Sequence, residues 1–354
     1  MRVVSLSQLK AGQILGQTFY SENGQVLLRR GTKLTDFFIN RLIEAGYSSV
    51  YIWQDQLEYV IEDVVRPEIR QKAVNDLRKF FSAAHNQPTK DAANHLQDNI
   101  HVLKANASSI IDELFNKKDI VVELIDIKNV NNGLYQHSVN VMIHSVILGI
   151  SIGLNRVEVS KLALAALLHD IGLMFIPQDI LNKKEKLSKE EMLKAQQHTS
   201  LGYGFLRDKL NLEATVRIGV LEHHENYDGS GYPNNKVGQE IHLLSRIISI
   251  ANKYDSIISD RVYKKASPVS EALEFIMGGG GTYFDPKLVK VFIKHINPYP
   301  VNTLVKVDDG NIAVVTEVNS HFFTRPVLKI ISGNQKGKII DLLKEKNIVI
   351  RTSV

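Results

Sequence analysis

The 354-residue chain contains no cysteine, which excludes disulfide bonds, thiolate nucleophiles and every cysteine-based zinc or iron–sulfur site. Any metal site must therefore be built from histidine, aspartate, glutamate or asparagine. No segment reaches the roughly 18 consecutive apolar residues of a membrane span. The start, MRVVSLSQLKAGQILG, also lacks the pattern of a signal peptide. We therefore expect a cytoplasmic protein with no membrane partner.

The sequence also lacks a strong excess of charge of either sign. Its 43 Lys and Arg residues against 38 Asp and Glu residues give a net charge of +5, and the surplus is not gathered in one tail. Diffuse charge of this kind is typical of a solvated surface and does not predict binding to DNA or RNA. The length and the 44% hydrophobic content predict two or more domains with sizeable cores.

Changes in local composition divide the chain into four regions. Residues 1–60 have closely spaced glycines between short apolar runs and predict a small β-rich module with one helix. Residues 61–118 read as a helical connector, and residues 119–297 read as successive helices that hold eight of the twelve histidines. Residues 298–354 return to short strand-like runs. We therefore predict a mainly α protein, in which an all-helical domain is flanked by small β-rich N-terminal and C-terminal modules.

The helix predicted over residues 92–116 has apolar residues at alternating spacings of four and three, which is the pattern of a coiled-coil seam. The seam consists of Leu96, Ile100, Leu103, Ala107, Ile110 and Leu114. Two alternatives follow from it. The helix packs on its own domain, or it forms a homodimer that Leu103→Asp would convert to a monomer.

A helix that is apolar nearly all round, Val159 to Leu168, runs directly into His169 and Asp170. Such a helix is typically buried inside its domain. An ionised carboxylate at its end is costly unless it is paired or bound to a metal. His169 and Asp170 are therefore candidate metal ligands, and the alternative is a capping aspartate beside a core histidine.

Another histidine, His198, shares an apolar helix face with Leu201 and Phe205. We expect this helix to be opened by a capping box formed by Ser188 and Glu191. Taken alone, His198 is typical of a core histidine.

Three more histidines lie at helix ends. His223 and His224 close one apolar helix, and His137 opens another. Two adjacent inward-pointing imidazoles repel when both are charged, whereas neutral imidazoles are compatible with a shared cation. We assign His144, two turns after His137, to packing.

The paired histidines begin the string HHENYDGSGYP, residues 223–233, which fills the pattern HHExxDGxGYP at every fixed position. Together with LLHDIG at 167–172, this string closely resembles the HD-GYP family of cyclic di-GMP phosphodiesterases. The resemblance covers roughly residues 120–296. It includes HTSLGYGFL, SRIISIANKYDSIISDRVYK and YFDP, and the segment from Leu9 to Leu34 is similar to a module often found before this domain.

The resemblance implies an all-helical domain that binds divalent metal ions and hydrolyses cyclic di-GMP in bacterial second-messenger signalling. Two ions are expected, iron or manganese, with zinc, nickel or magnesium as alternatives. The implied metal ligands are His137, His169, Asp170, His198, His223, His224 and Asn252, with His169 and Asp170 as catalytic residues. The implied substrate-binding residues are Arg261, Lys264, Asp228, Gly229, Gly231, Tyr232 and Pro233.

Three positions depart from the family pattern. Asn252 stands where the family has an aspartate ligand, and Leu173 stands where the family has a lysine after the HDIG motif. Gly133 occupies the position of the glutamate found in members with three metals, so a third ion is not expected. Asp255, one turn after Asn252, matches a second family aspartate and is not expected to replace the missing ligand.

These departures leave two hypotheses for function. In the first, the protein hydrolyses cyclic di-GMP through a metal-bound hydroxide, giving linear pGpG and GMP. In the second, it is a degenerate member that binds cyclic di-GMP, or a protein partner through the GYP loop, with little or no catalysis. The presence of Asn252 and Leu173 favours the second hypothesis, whereas the retained histidines and Asp170 favour the first.

Overall fold

The computed structural model describes residues 2–20, 25–44, 49–53, 64–85, 90–117, 133–183, 185–259, 267–308, 310–319 and 322–353. It confirms a mainly α protein with a small β-rich module at each end. Arg261 and Lys264, the two predicted phosphate contacts, lie outside the described residues.

The N-terminal module contains five short strands and one helix among its described residues. They are β1 (Arg2–Ser5), β2 (Ile14–Leu15), β3 (Phe19–Tyr20), β4 (Val26–Leu28), α1 (Asp36–Glu44) and β5 (Ser49–Trp53). Strand β5 lies between β1 and β2 and is antiparallel to both, with Val3 opposite Tyr51. The module has its own small core, which includes Leu15, Leu34 and Val50.

The connector consists of two helices, α2 (Pro67–His85) and α3 (Lys90–Phe115), that pack on each other and on the central helices. The apolar seam of α3 is between 0% and 4% exposed within the single chain. Because the chain itself covers this face, the seam is not free to join two copies. The intramolecular alternative is therefore correct for this face, and a homodimer as such stays a prediction.

The central region is a helical bundle that shares one continuous core with the connector. Its helices are α4 (Gly133–Ser151), α5 (Arg156–Leu168), α6 (Gln178–Leu181), α7 (Lys189–Gln196), α8 (His198–Asp208), α9 (Ala214–Glu222), α10 (Leu243–Ile258), α11 (Val269–Gly278) and α12 (Pro286–Phe292). Helix α4 packs against both α5 and α10, and its residues from His137 to Gly149 are buried on every side. Within the described ranges, none of the helices combines the length and the apolar character that crossing a bilayer requires.

The prediction that Ser188 opens the helix containing His198 is wrong in one respect. The capping box is present, because the Ser188 hydroxyl accepts from the Glu191 backbone N–H at 3.2 Å and the Glu191 carboxylate accepts from the Ser188 N–H at 2.7 Å. The capped helix α7 nevertheless ends at Gln196, and His198 begins α8. A tight turn separates the two helices, in which the Gln197 N–H donates to the Lys194 carbonyl three residues back.

The C-terminal module is a five-stranded antiparallel sheet with the order β10-β6-β7-β8-β9. The strands are β6 (Leu304–Val307), β7 (Ile312–Glu317), β8 (Val327–Ile330), β9 (Ile339–Asp341) and β10 (Ile350–Ser353). Alternate residues such as Val305, Val315 and Leu328 are buried, as expected for a sheet with one covered face.

The buried seam of α3 generates a stability prediction. Leu103 is 0% exposed, whereas its neighbour Val102 is 41% exposed. We expect Leu103→Ala to lower the free energy of unfolding by about 2–5 kcal/mol, because it leaves a cavity in the shared core. Val102→Ala is the matched control and should change it by less than about 0.5 kcal/mol.

Urea unfolding followed by circular dichroism would measure both free energies. Equal effects of the two substitutions, or a change of oligomeric state with Leu103→Ala and no loss of stability, would contradict the intramolecular packing of the seam.

Candidate metal centre

The predicted ligands come together because four separate helix ends meet around Asp170. His137 lies near the start of α4, His169 follows α5, His198 begins α8 and His223 follows α9. The Asp170 Oδ2 atom lies 3.9 Å from Nε2 of His137 and 3.2 Å from Nε2 of His169. The Asp170 Oδ1 atom lies 3.4 Å from Nε2 of His198 and 3.7 Å from Nε2 of His223. Each carboxylate oxygen thus faces its own pair of imidazoles.

Hydrogen bonds on the outer side of these rings determine their tautomers. The Nδ1 atoms of His169, His198 and His223 lie 2.8, 2.8 and 2.7 Å from the backbone carbonyl oxygens of Ala166, Ala195 and Val220, respectively. A carbonyl oxygen only accepts, so Nδ1 must carry the proton in each ring. In the neutral ring, Nε2 then presents a lone pair toward Asp170.

Burial keeps part of this cluster in the uncharged form that binds metals. Burial lowers the pKa of His223 to about 4, and it also lowers the pKa of His224. Burial would raise the pKa of Asp170, but interactions with the imidazoles of His169, His223 and His198 hold it well below its usual range. The centre therefore keeps Asp170 anionic among its imidazoles, while burial favours the neutral form of His223 and His224.

His224 lies in the same group as His198 and His223, and it contacts the glycine-rich loop that follows it. Its ring is stacked on that of Tyr232, with centroids 4.8 Å apart and an interplanar angle of 18°. Atoms of Asp170, His198, His223 and His224 lie within 4.8 Å of one another, and the same is true of His137, His169 and Asp170. The two groups share only Asp170.

Asn252 lies beside the first of these groups. Its Oδ1 atom is 3.1 Å from Nε2 of His137, whose Nδ1 is 2.6 Å from the Asp255 carboxylate. Since Nδ1 donates to Asp255, the neutral ring presents an acceptor at Nε2 that faces the acceptor oxygen of Asn252. A shared cation would satisfy both acceptors, as would a proton on Nε2 or the opposite orientation of the Asn252 amide. The Asp255 carboxylate contacts the Nδ1 side of the His137 ring, whereas Asp170 lies on the Nε2 side. Asp255 is therefore a hydrogen-bond acceptor for His137.

The donor set fits divalent metal ions. Neutral imidazoles, a bridging carboxylate and an amide oxygen are common ligands of iron, manganese and zinc. Where the rings are neutral, their Nε2 lone pairs converge on the Asp170 carboxylate, and a bound ion would relieve the resulting repulsion. This part of the chain can therefore hold metal through two groups of donors joined by one carboxylate.

A glycine permits the close approach on which this geometry depends. A Cβ atom added at Gly172, two residues after Asp170, would overlap the backbone carbonyl oxygen of His198. The short 3₁₀ turn Ile171–Phe175 therefore lies directly against α8. Leu173 is part of this turn and is half-buried.

The loop that follows the paired histidines is anchored by a carboxylate that our sequence analysis did not single out. The buried Glu225 side chain accepts from the backbone N–H groups of Asn234 at 2.6 Å and Lys236 at 3.2 Å. Its place in the HHE string was the available signal. The buried Glu222 carboxylate adds a second anchor, because the Lys236 ammonium donates to it at 2.5 Å.

The predicted substrate-binding residues of this loop have different surroundings. Asp228 is exposed, and its carboxylate accepts from the Ser230 N–H at 2.9 Å within a turn. Gly229 has a φ of +84°, which favours glycine. A side chain at the buried Gly231 would overlap the backbone nitrogen of Asn226. The ring of Tyr232 contacts that of His224, and the next residue, Pro233, is half-buried.

Comparison with known proteins gives two family matches. A family described as an HD domain matches residues 125–288, and a KOW domain associated with HD domain matches residues 304–354. A cyclic di-GMP phosphodiesterase of Thermotoga maritima is 31% identical over 266 residues, which cover 72% of this chain and 67% of that protein.

Two further relatives match shorter parts of the chain. A cyclic di-GMP phosphodiesterase of Pseudomonas aeruginosa is 34% identical and covers 64% of this chain and 55% of its own length. A 3'3'-cGAMP-specific phosphodiesterase of Vibrio cholerae is 36% identical and covers 40% of this chain and 28% of its own length. This chain thus spans about half the length of the Pseudomonas relative.

The close approach at Gly172 generates a prediction about metal binding. We expect Gly172→Ala to push α8 and His198 away from Asp170, to destabilise the protein by about 1–3 kcal/mol and to lower its metal content. Gly204→Ala, on helix α8 against which Gly172 packs, is the control, because a Cβ atom there meets nothing within 4 Å. It should stabilise the helix by about 0.5–1 kcal/mol.

Elemental analysis after dialysis against metal, together with thermal unfolding, would compare the two variants. Full metal content in the Gly172→Ala protein would contradict the role assigned to this contact.

Proposed function

Because the chain belongs to the HD-GYP family, we propose that it is a metal-dependent phosphodiesterase that hydrolyses cyclic di-GMP. The observation that carries the proposal is the arrangement around Asp170, whose two oxygens face two separate sets of nitrogen donors. Two metal ions held a few ångströms apart are one arrangement that enzymes use to cleave phosphodiester bonds.

We assign the ligands to two ions, iron or manganese, that share Asp170. His137, His169 and Asn252 would hold one ion, and His198, His223 and His224 would hold the other. When bound, two such ions supply an activated water and stabilise charge on the phosphate oxygens. The residues of this chain would contribute imidazole and amide donors on both sides of one carboxylate, Asp170.

The substrate assignment rests on the relatives and on the loop. The names of the Thermotoga and Pseudomonas relatives specify cyclic di-GMP, although the Vibrio relative is specific for 3'3'-cGAMP. The ring of Tyr232 stacks on His224 and offers a flat apolar surface beside the metal centre. Arg261 and Lys264 would contact the phosphates, and the products would be pGpG and GMP. We place this activity in the cytoplasm.

A second candidate function follows from Asn252. An amide oxygen is a metal ligand without charge, so Asp170 would be the one anionic member of the ligand set assigned above, which is drawn from the described residues. Leu173 also leaves the site without the lysine expected after the HDIG motif. Weaker metal binding would favour a receptor for cyclic di-GMP, or for a protein partner through the loop at 225–233, over an enzyme.

Turnover measured on metal-loaded protein tests the proposal. We expect the wild-type protein, stripped with chelator and reloaded with Mn²⁺ or Fe²⁺, to convert cyclic di-GMP to pGpG or GMP in a chromatographic assay. His169→Ala should lower this rate by about a hundredfold or more, because it removes a ligand. Asn252→Asp should raise metal affinity and turnover, since it restores a negative charge.

Asn182→Asp is the matched control, because it makes the same amide-to-carboxylate change at an exposed position. Tight binding of cyclic di-GMP without turnover in the wild type, and turnover only in the Asn252→Asp protein, would establish the receptor and overturn the enzyme. Faster hydrolysis of 3'3'-cGAMP would overturn the substrate assignment alone.

A further inference from the structure

A chain of hydrogen bonds leads from His137 to the connector helix α2. The Asp255 carboxylate lies 2.6 Å from His137 Nδ1 through Oδ2 and accepts from the Asn140 amide at 2.8 Å through Oδ1. The oxygen of that amide accepts from the guanidinium of Arg70 and from the Gln136 side chain, the latter at 3.2 Å. Arg70 is thus linked to the candidate ligand His137 through Asn140 and Asp255. It lies outside residues 125–288, the region matched as an HD domain.

The inner members of this chain are buried. Asn140 is 2% exposed and Asp255 is 0% exposed, so their polar atoms are hydrogen-bonded within the protein. Asp255 also accepts from the Ser259 hydroxyl at 3.1 Å. These partners and their burial leave Asp255 little freedom to rotate away from His137.

The orientation of the Asn140 amide determines whether this chain is attractive. With its NH₂ group toward Asp255, the amide donates to the carboxylate, whereas the flipped amide would place two oxygens against each other. A guanidinium donates and cannot accept, so Arg70 selects the orientation with the oxygen toward itself. Gln136 supports the same orientation as a neutral donor.

We propose that Arg70 is a positioning residue for the metal ligand His137. By fixing the Asn140 amide it fixes the Asp255 carboxylate, which holds the proton of His137 on Nδ1 and turns the Nε2 lone pair toward Asp170. This inference rests on the proposed metal centre but not on hydrolysis. Outer-row partners of this kind change metal affinity by about 10-fold to 100-fold in other metal sites.

Arg66 provides a matched control for an arginine that only holds the two connector helices together. Its backbone N–H donates to the Glu113 carboxylate at 2.9 Å, and its guanidinium contacts the same carboxylate on α3. Arg66→Ala therefore removes an arginine that holds the connector together without touching the chain that leads to His137.

Metal titration of the chelator-treated, full-length protein tests the proposal. We expect Mn²⁺ calorimetry to show two sites in the wild type, one of them weakened about tenfold in Arg70→Ala and in Asn140→Ala. The double variant should bind Mn²⁺ no more weakly than either single variant, because the two residues act in series. Arg66→Ala should bind Mn²⁺ like the wild type.

A second readout follows the imidazole itself. In ¹⁵N spectra of the metal-free protein, His137, assigned by its loss in His137→Gln, should be an Nδ1–H tautomer in the wild type and a mixture in Arg70→Ala. If Arg70→Ala does not fold, Arg70→Gln and Gln136→Ala supply the same comparison, each with one of the two donors weakened or removed.

Wild-type affinity and an unchanged His137 tautomer in the arginine and asparagine variants would overturn the inference. Binding of fewer than two ions by the wild type would defeat the proposed centre and the inference together. Binding of two ions without hydrolysis of any nucleotide would defeat the proposed function alone, and the loss of affinity in Arg70→Ala would then still support the inference.

Discussion

The buried carboxylate of Asp170 is the constraint on which the rest of the central domain depends. Helix α5 is apolar on nearly all sides, so it packs inside the bundle and carries His169 and Asp170 inward. A carboxylate in that position needs partners, and the bundle supplies imidazoles from the ends of four helices. Where those imidazoles are neutral, their Nε2 lone pairs face Asp170, and a bound cation would satisfy both. The fold thus brings together a carboxylate and imidazoles that could hold a metal ion.

The candidate ligands are held in place by two different kinds of hydrogen bond. His169, His198 and His223 are fixed by backbone carbonyls three residues earlier, so their orientation follows from local helix geometry. His137 is fixed by a carboxylate on α10, and Asn252 stands beside it on the same helix. The orientation of these three imidazoles therefore follows their own helices, whereas His137 and Asn252 depend on how α4 and α10 pack together. Under our proposal, Arg70 on α2 also acts on His137.

Close backbone approaches explain why small residues surround the centre. Gly172 allows the turn after Asp170 to lie against α8, and Gly231 allows the loop after His224 to fold back on itself. The buried carboxylate of Glu225 then holds that loop through backbone N–H groups. These contacts bring Tyr232 onto His224, so the loop and the metal centre form one continuous surface.

The sequence by itself determined the mainly α architecture, the family and the set of histidines, because helix periodicity and the HDIG and HHENYDGSGYP strings are local patterns. Only the tertiary structure decided which partners these patterns meet. The seam of α3 turned inward because the buried faces of α2 and α5 lay within reach. Helix α8 began at His198 because a tight turn at Gln197 interrupts the helix opened by Ser188. The link from Arg70 through Asn140 to Asp255 joins residues up to 185 positions apart. These contacts form only when α2, α4 and α10 pack together, so no local sequence pattern predicts them.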